Sequence, residues 1–317
     1  AIQLAREGFP ITPSQRFWLD FRSDELSMMP GVREHFIPGG KIPCEGEKLY
    51  QPQLAASLQS IATHGYRDFY EGQLGAKIAA GLAAAGSPLT GADLAATRAR
   101  IEKPLSVPYR GGELLAHRPP TQGMTTLEIM GILERFDLSR IEEGSADYYH
   151  LLVEAVKRAF LDRNSYLADP DFASVPCERL LSPAHLDAEA AKVEAGKALD
   201  WPFAYQHGDT VYLAAADRFG NAVSMLQTIY YDWGSGVSVG DTGFLWHNRG
   251  AAYSLDPAHE QDAGDAIFAE LTRRGHQMSP LPAQSALAGH PGAVVIDPAK
   301  GFYAAHDPRS DGIALGL

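Results

Sequence analysis

The chain has 317 residues, 45% of them hydrophobic, enough apolar material for a large core and one or two domains without disulfide staples. A formal net charge of −12 and the lack of a basic stripe argue against a phosphate-tracking protein, so no nucleic-acid partner is expected. No apolar run approaches the roughly 18–20 residues that span a bilayer, and AIQLAREGFP is not a signal peptide, so no membrane partner and a cytoplasmic location are expected, with a periplasmic or secreted protein as the alternative.

In chain order, Ala1 to Glu7 followed by Gly8 reads as the last turns of a helix with its C-cap, and further chain is expected to precede it. Leu54, Leu58, Ile61 and Ala62 recur at helical spacing within 51–64, and an Ala-rich helix over 73–85 stops at Gly86. Candidate strand arms at 105–109 and 113–117 flank Arg110-Gly111-Gly112. Residues 125–136 read as helix, and the strongest helical pattern starts at a Ser145 cap and runs through Leu152, Val156, Ala159 and Phe160. From Asp169-Pro170 to about Gly196 the chain is polar and Ala-rich, which predicts a solvent-facing helix leading into a loop. From Thr210 the period changes to that of strands. Val211, Leu213 and Ala215 face Val223 and Met225 across the turn residues 217–221, and a second hairpin joins 293–296 to 302–304 around 297–301. A helical front two thirds and a β back third predict an α+β or layered α/β architecture with an antiparallel sheet.

The chemistry-bearing motifs are few. Cys44 and Cys177 stand outside any CxxC or Cys/His cluster and read as two structural thiols, with one disulfide as the alternative. Gly236-Val237-Ser238-Val239-Gly240 matches the string of a serine nucleophile elbow, but no helix start follows it, so a Gly-rich loop is the reading. There is no dinucleotide fingerprint, P-loop or HExxH, hence no metal and no organic cofactor is expected. His207 and His306 read as structural hydrogen-bonders before catalysts.

Thr210 and Thr228 are equally far from Phe219, and an unbulged hairpin centred there sets them opposite each other, with Cβ atoms roughly 4.5–5.5 Å apart. That is either a cross-strand Thr pair or the start of an active site. If the Asp209–Thr210 bond is cut, the new α-amine, with an ordinary pKa of about 7.7–8.0, takes the proton of its own hydroxyl. Thr228 then orients the attacking oxygen.

Gly208-Asp209-Thr210, Asp217, Gly220-Asn221-Ala222-Val223, Thr228, Gly234-Ser235-Gly236 and Gly240 together resemble the start of the small subunit of γ-glutamyltransferase-family proteins. These are N-terminal-nucleophile hydrolases that cut themselves before a Thr. The tail Ala304-Ala305-His306-Asp307-Pro308-Arg309-Ser310-Asp311-Gly312 is similar to the family's C-terminal motif, and Phe69-Tyr70-Glu71-Gly72 and Arg118-Pro119-Pro120 are similar to blocks of its large subunit. The resemblance implies an α+β fold, a four-layer αββα sandwich. In it 1–209 is the large-subunit portion, 210–317 the small-subunit portion, and the two together are one sandwich domain. It also implies processing between Asp209 and Thr210, with Thr210 as nucleophile and base and Thr228 as its orienting partner. The partners it implies are a small-molecule amide substrate and the two subunits of one precursor, with a homo-oligomer of such heterodimers left open.

Family members that hold glutamate carry Asn two residues after the second Thr, and Gln and then Asp beyond the Gly-rich loop. Here those positions are Tyr230, Arg249 and Ala252. Without the Asp, a substrate ammonium has no partner, and an unpaired charge in a dry pocket is costly. The resemblance therefore implies a different acyl group: Tyr230, Tyr231 and Trp233 crowd the acyl site and Arg249 grips a carboxylate. The bland alternative is a surface ion pair for Arg249 and core positions for the aromatics. Such a pocket suits a small dicarboxylic monoamide, as in the family's oxamate amidohydrolases of purine breakdown. A γ-glutamyltransferase or a glutaryl or cephalosporin acylase is the alternative within the family, and a non-catalytic binding or scaffold protein the alternative outside it. Relatives carry an N-terminal region with a carboxylate-binding Arg, and a long stretch where His259 meets Glu260 here, including a Gly-Gly pair that forms the oxyanion hole. The sequence is accordingly expected to join pieces of a longer protein.

Overall fold

The first long helix starts as local chemistry dictates: Thr12 Oγ1 accepts the Gln15 N–H at 3.2 Å, and Pro13 takes a position where its missing N–H costs nothing. The computed structural model describes residues 1–201, 209–252, 292–297 and 301–306. The chain packs as two compact units, one of Ala1–Arg98, Gln206–Arg249 and Ser279–Leu317, the other of Ala99–Tyr205 and Gly250–Met278.

The first unit begins with α1 (Ile2–Glu7), β1 (Phe9–Pro10), α2 (Pro13–Phe21), α3 (Ser23–Ser27), α4 (Pro30–Phe36) and β2 (Lys48–Leu49), followed by α5 (Pro52–His64), α6 (Asp68–Glu71), α7 (Gln73–Ala84) and α8 (Gly91–Ala96). The helices expected at 51–64 and 73–85 are α5 and α7, and Gly8 caps α1 at φ 80°. Leu74, Ile78 and Leu82 stand four residues apart on α7 and so form one stripe, buried with Leu94 and Val239. A separate cluster gathers Ile11, Leu19, Leu26, Val32, Ile37 and Leu49.

The second unit holds the hairpin of β3 (Leu105–Tyr109) and β4 (Gly112–Ala116). Its two-residue turn, Arg110 at φ 47° and Gly111 at φ 81°, is the mirror-image geometry that matches strand twist. Next come α9 (Gly123–Leu133), α10 (Ala146–Tyr166), α11 (Cys177–Leu180) and α12 (Pro183–Ala190). Ser145 caps α10 as expected, its Oγ accepting the Tyr148 N–H at 3.2 Å. The solvent-facing helix expected before Gly196 is instead seated: Leu186 and Ala190 of α12 are buried with Ile132, Leu133, Leu151 and Ala155. Two apolar residues four apart suffice for one buried contact line on an otherwise polar helix. Cys44 and Cys177 are both free thiols, and burial pushes the Cys177 thiol up.

The strands of the back third belong to the first unit. β5 (Asp209–Ala216) and β6 (Ala222–Tyr230) form the expected hairpin, and β7 (Gly292–Asp297) and β8 (Gly301–His306) the second, closed at Asp297 and Gly301. The first turn is held by Asp217, whose carboxylate accepts from the Phe219 and Asn221 N–H groups at 2.8 and 3.0 Å and from Asn221 Nδ2 at 2.8 Å. β5 lies beside β7. The pairings among the described residues are all two-stranded and antiparallel.

Candidate active site

The hairpin register runs true from Ala216↔Ala222 to Val211↔Gln227 and then breaks, because the next rung is Asp209↔Tyr230. Thr210 alone therefore faces two residues, Thr228 and Ile229. The expectation of an unbulged Thr210–Thr228 rung is corrected: a β-bulge sits at that point. A bulge twists and re-aims the chain where it occurs. Here its consequence is visible at Tyr230, which holds φ 80°, a left-handed backbone that a bulky side chain adopts at a cost of about 1–3 kcal/mol. Its N–H donates to Thr228 Oγ1 at 2.9 Å. A hydroxyl that accepts one bond in fixed geometry keeps its own O–H to donate elsewhere.

The strain at Tyr230 is over-determined by the segment that follows. Asn248 donates its backbone N–H to the Ile229 carbonyl at 3.1 Å, and its side-chain oxygen accepts the Tyr231 N–H at 3.1 Å. Arg22 and Asp232 pair at 2.7 Å and hold the next residue. Tyr230 is buried at 7%, and the Arg249 guanidinium lies over its ring at 5.6 Å, a cation–π contact. The Tyr231 ring meets Tyr230 edge-on at 5.4 Å, and burial raises its phenol pKa, so it stays neutral. His247, whose pKa is lowered by the protein around it and then by Arg249, accepts the Arg249 N–H on Nδ1 at 3.2 Å. No carboxylate among the described residues pairs with Arg249, so the surface ion pair offered as its bland role is not found there. Asn248 and His247 are site residues the sequence reading missed, and no local motif marks them.

The Gly-rich loop supports this end of the hairpin. A Cβ at Gly234 would sit 2.3 Å from the Trp246 carbonyl oxygen, and one at Gly243 would sit 2.4 Å from the Leu54 nitrogen, both at positive φ. Trp233 packs edge-on against Phe36 at 4.8 Å beside the first core cluster, so this aromatic belongs to the core. Ser238 is no nucleophile elbow: it bridges to Leu245, no helix follows, and its Oγ lies 2.8 Å from Nε2 of His35. Phe69 of the Phe69-Tyr70-Glu71-Gly72 block meets Phe244 of the loop at 5.1 Å.

Several expectations lie outside the described residues: His207, the junction of His259 with Glu260, and the tail from Asp307. Among the described residues, the one group of three potential metal ligands, Glu128, Asp162 and His185, belongs to the second unit and includes no residue of this hairpin.

A family model described as Gamma-glutamyltranspeptidase matches residues 1–261. The chain is 40% identical over 259 residues to the oxamate amidohydrolase proenzyme of Klebsiella pneumoniae subsp. pneumoniae, covering 82% of this chain and 49% of that one. It is 41% identical over 257 residues to the glutathione hydrolase-like YwrD proenzyme of Bacillus subtilis, covering 80% and 48%. Among solved structures, the cephalosporin acylase from Bacillus halodurans superposes with a TM-score of 0.81 at 26% identity, over 98% of this chain and 72% of that one. The chain spans about half the length of the curated relatives it matches. The α+β fold expected from the sequence is that of these N-terminal-nucleophile hydrolases. On the extent of the family match and on these identities, the chain belongs to the gamma-glutamyltranspeptidase family.

Proposed function

We propose that the chain is part of a self-processing threonine amidohydrolase that converts a small carboxylate-bearing amide, oxamate above all, to the acid and ammonia. The observation that carries this reading is the Arg249 guanidinium laid over the ring of Tyr230 beside the Thr210 bulge. A stacked, planar guanidinium is suited to a bidentate grip on a carboxylate. Tyr230, Arg249 and Ala252 replace the residues that would hold a glutamyl head group, and likeness to an oxamate amidohydrolase proenzyme supports the same choice.

In processing, Thr210 Oγ attacks the Asp209 carbonyl, the peptide N–C bond breaks as the acyl group moves to oxygen, and water hydrolyses the resulting ester. The chain is thereby divided into 1–209 and 210–317, the two subunits of one precursor. In turnover the neutral Thr210 amine takes the Oγ proton, Oγ attacks the amide carbonyl, and the amine returns the proton to the departing ammonia. Water, deprotonated by the same amine, then releases the acid. Thr228 donates its O–H to Oγ, with its lone pair held by the Tyr230 N–H.

A second reading, γ-glutamyl hydrolysis or acylase activity, is favoured by the likeness to the glutathione hydrolase-like protein and the cephalosporin acylase. The test uses the full-length gene product. Intact mass under denaturing conditions should give two polypeptides split before Thr210, with ammonia released from oxamate. Release from a γ-glutamyl anilide without action on oxamate supports the second reading. An uncut, inactive chain supports a scaffold, and turnover by an uncut chain overturns the mechanism.

A further inference from the structure

Three helices of the second unit bring their chemistry to one point. Glu128 on α9, Asp162 on α10 and His185 on α12 each offer one ligand atom, and these atoms all lie within 4.8 Å of one another. Glu128 is fully buried at 0%, and neither of its carboxylate oxygens receives a hydrogen bond from a described residue. His185 Nε2 is 2.7 Å from Asp162 Oδ2 and 3.4 Å from Glu128 Oε1. Thr125, one turn earlier on α9, is also buried, with a hydroxyl that finds no partner among the described residues.

A buried carboxylate without donors is among the costliest groups a core can hold, and here a second carboxylate stands beside it. A shared proton or a cation in the gap relieves that cost. Burial, then a side-chain hydrogen bond with Asp162 and the charges of Asp162 and Glu189, push the Glu128 carboxyl up to about 10, with Arg179 opposing, so a proton shared between the two carboxyls is one occupant. A divalent cation is the other, and it serves all three residues together: it neutralises both carboxylates and takes the imidazole Nε2 in place of the proton now shared with Asp162.

We propose that Glu128, Asp162 and His185 form a divalent transition-metal site, of the zinc or manganese type, that ties α9, α10 and α12 together. One imidazole with two carboxylates favours those ions over magnesium and calcium, which prefer oxygen ligands throughout. The site departs from the metal-free expectation, which rested on the lack of contiguous metal motifs. Its ligands come from three separate helices, none of them part of the nucleophile hairpin.

The test strips the full-length protein with chelator and titrates it with Zn²⁺ and, separately, Mn²⁺ by calorimetry, alongside Glu128→Gln and His185→Gln. Glu128→Gln is nearly isosteric with the protonated acid and keeps the fold while removing a ligand. The expected result is one ion per chain for the wild type, binding at least 10-fold weaker in Glu128→Gln, and an unfolding midpoint raised by the ion in the wild type alone. Equal binding by wild type and Glu128→Gln overturns the proposal. So does the absence of stoichiometric binding of both ions to the wild type, which leaves a proton-sharing cluster.

Discussion

Tyr230 donates its backbone N–H to Thr228 Oγ1 at 2.9 Å while holding a left-handed φ of 80°. The strained residue is thus also the one that positions Thr228 Oγ1 beside the bulge at Thr210. Thr228→Val keeps the shape and removes the hydroxyl. One lost hydrogen bond of about 1–2 kcal/mol predicts a fall in kcat of about 10-fold or more with KM little changed, read from steady-state kinetics. Thr210→Ala should leave a single uncut polypeptide by intact mass, with no turnover.

Arg249 lies over the Tyr230 ring and has no carboxylate partner among the described residues. Arg249→Lys keeps the charge but loses the planar fork. KM for oxamate should rise about 10-fold or more, and activity on an amide lacking a carboxylate should change little. An unchanged KM would remove Arg249 from the site.

Asp68, buried at the start of α6, accepts from Ser60 Oγ at 2.6 Å, and that bond holds its carboxyl below the ordinary range although burial opposes it. Its folded pKa is therefore below its unfolded one. The stabilisation is full above the unfolded value of about 4 and is lost as pH falls through the folded value. Asp68→Asn should flatten the acid limb of the stability curve below about pH 4 and cost about 1–3 kcal/mol at pH 7, measured by denaturant titration across pH.

Gly243→Ala places a Cβ 2.4 Å from the Leu54 backbone nitrogen at a φ of 73°. The two shortest contacts, 2.4 and 2.8 Å, are to the backbone N and Cα of Leu54, not to a flexible side-chain end, so the loop or α5 must shift. A loss of about 2 kcal/mol or more is expected, seen as a lower midpoint in urea, together with reduced activity as the loop behind Tyr230 moves.

Turn chemistry is local, which is why the nucleophile hairpin is legible in the sequence. Asp217, Gly220 and Asn221 carry their own hydrogen-bonding partners, and alternation across the strands locates the arms. The bulge is not legible: the last rungs are set by Asn248, which reaches back to Ile229 and Tyr231 from beyond the Gly-rich loop. The seating of α12 escapes a compositional reading too, because Leu186 and Ala190 count for little in an average and for much at a contact line.

Taken alone, the sequence determined the α+β class, the two late hairpins, the helices at 52–64, 73–84 and 146–166, and the family, since each depends on short-range patterns or on motif strings. Tertiary structure alone decided that Thr210 faces a bulge, that Arg249 rests on Tyr230, and that Glu128, Asp162 and His185 converge. Those arrangements rest on contacts between residues far apart in the chain, and no local propensity encodes which distant surfaces meet.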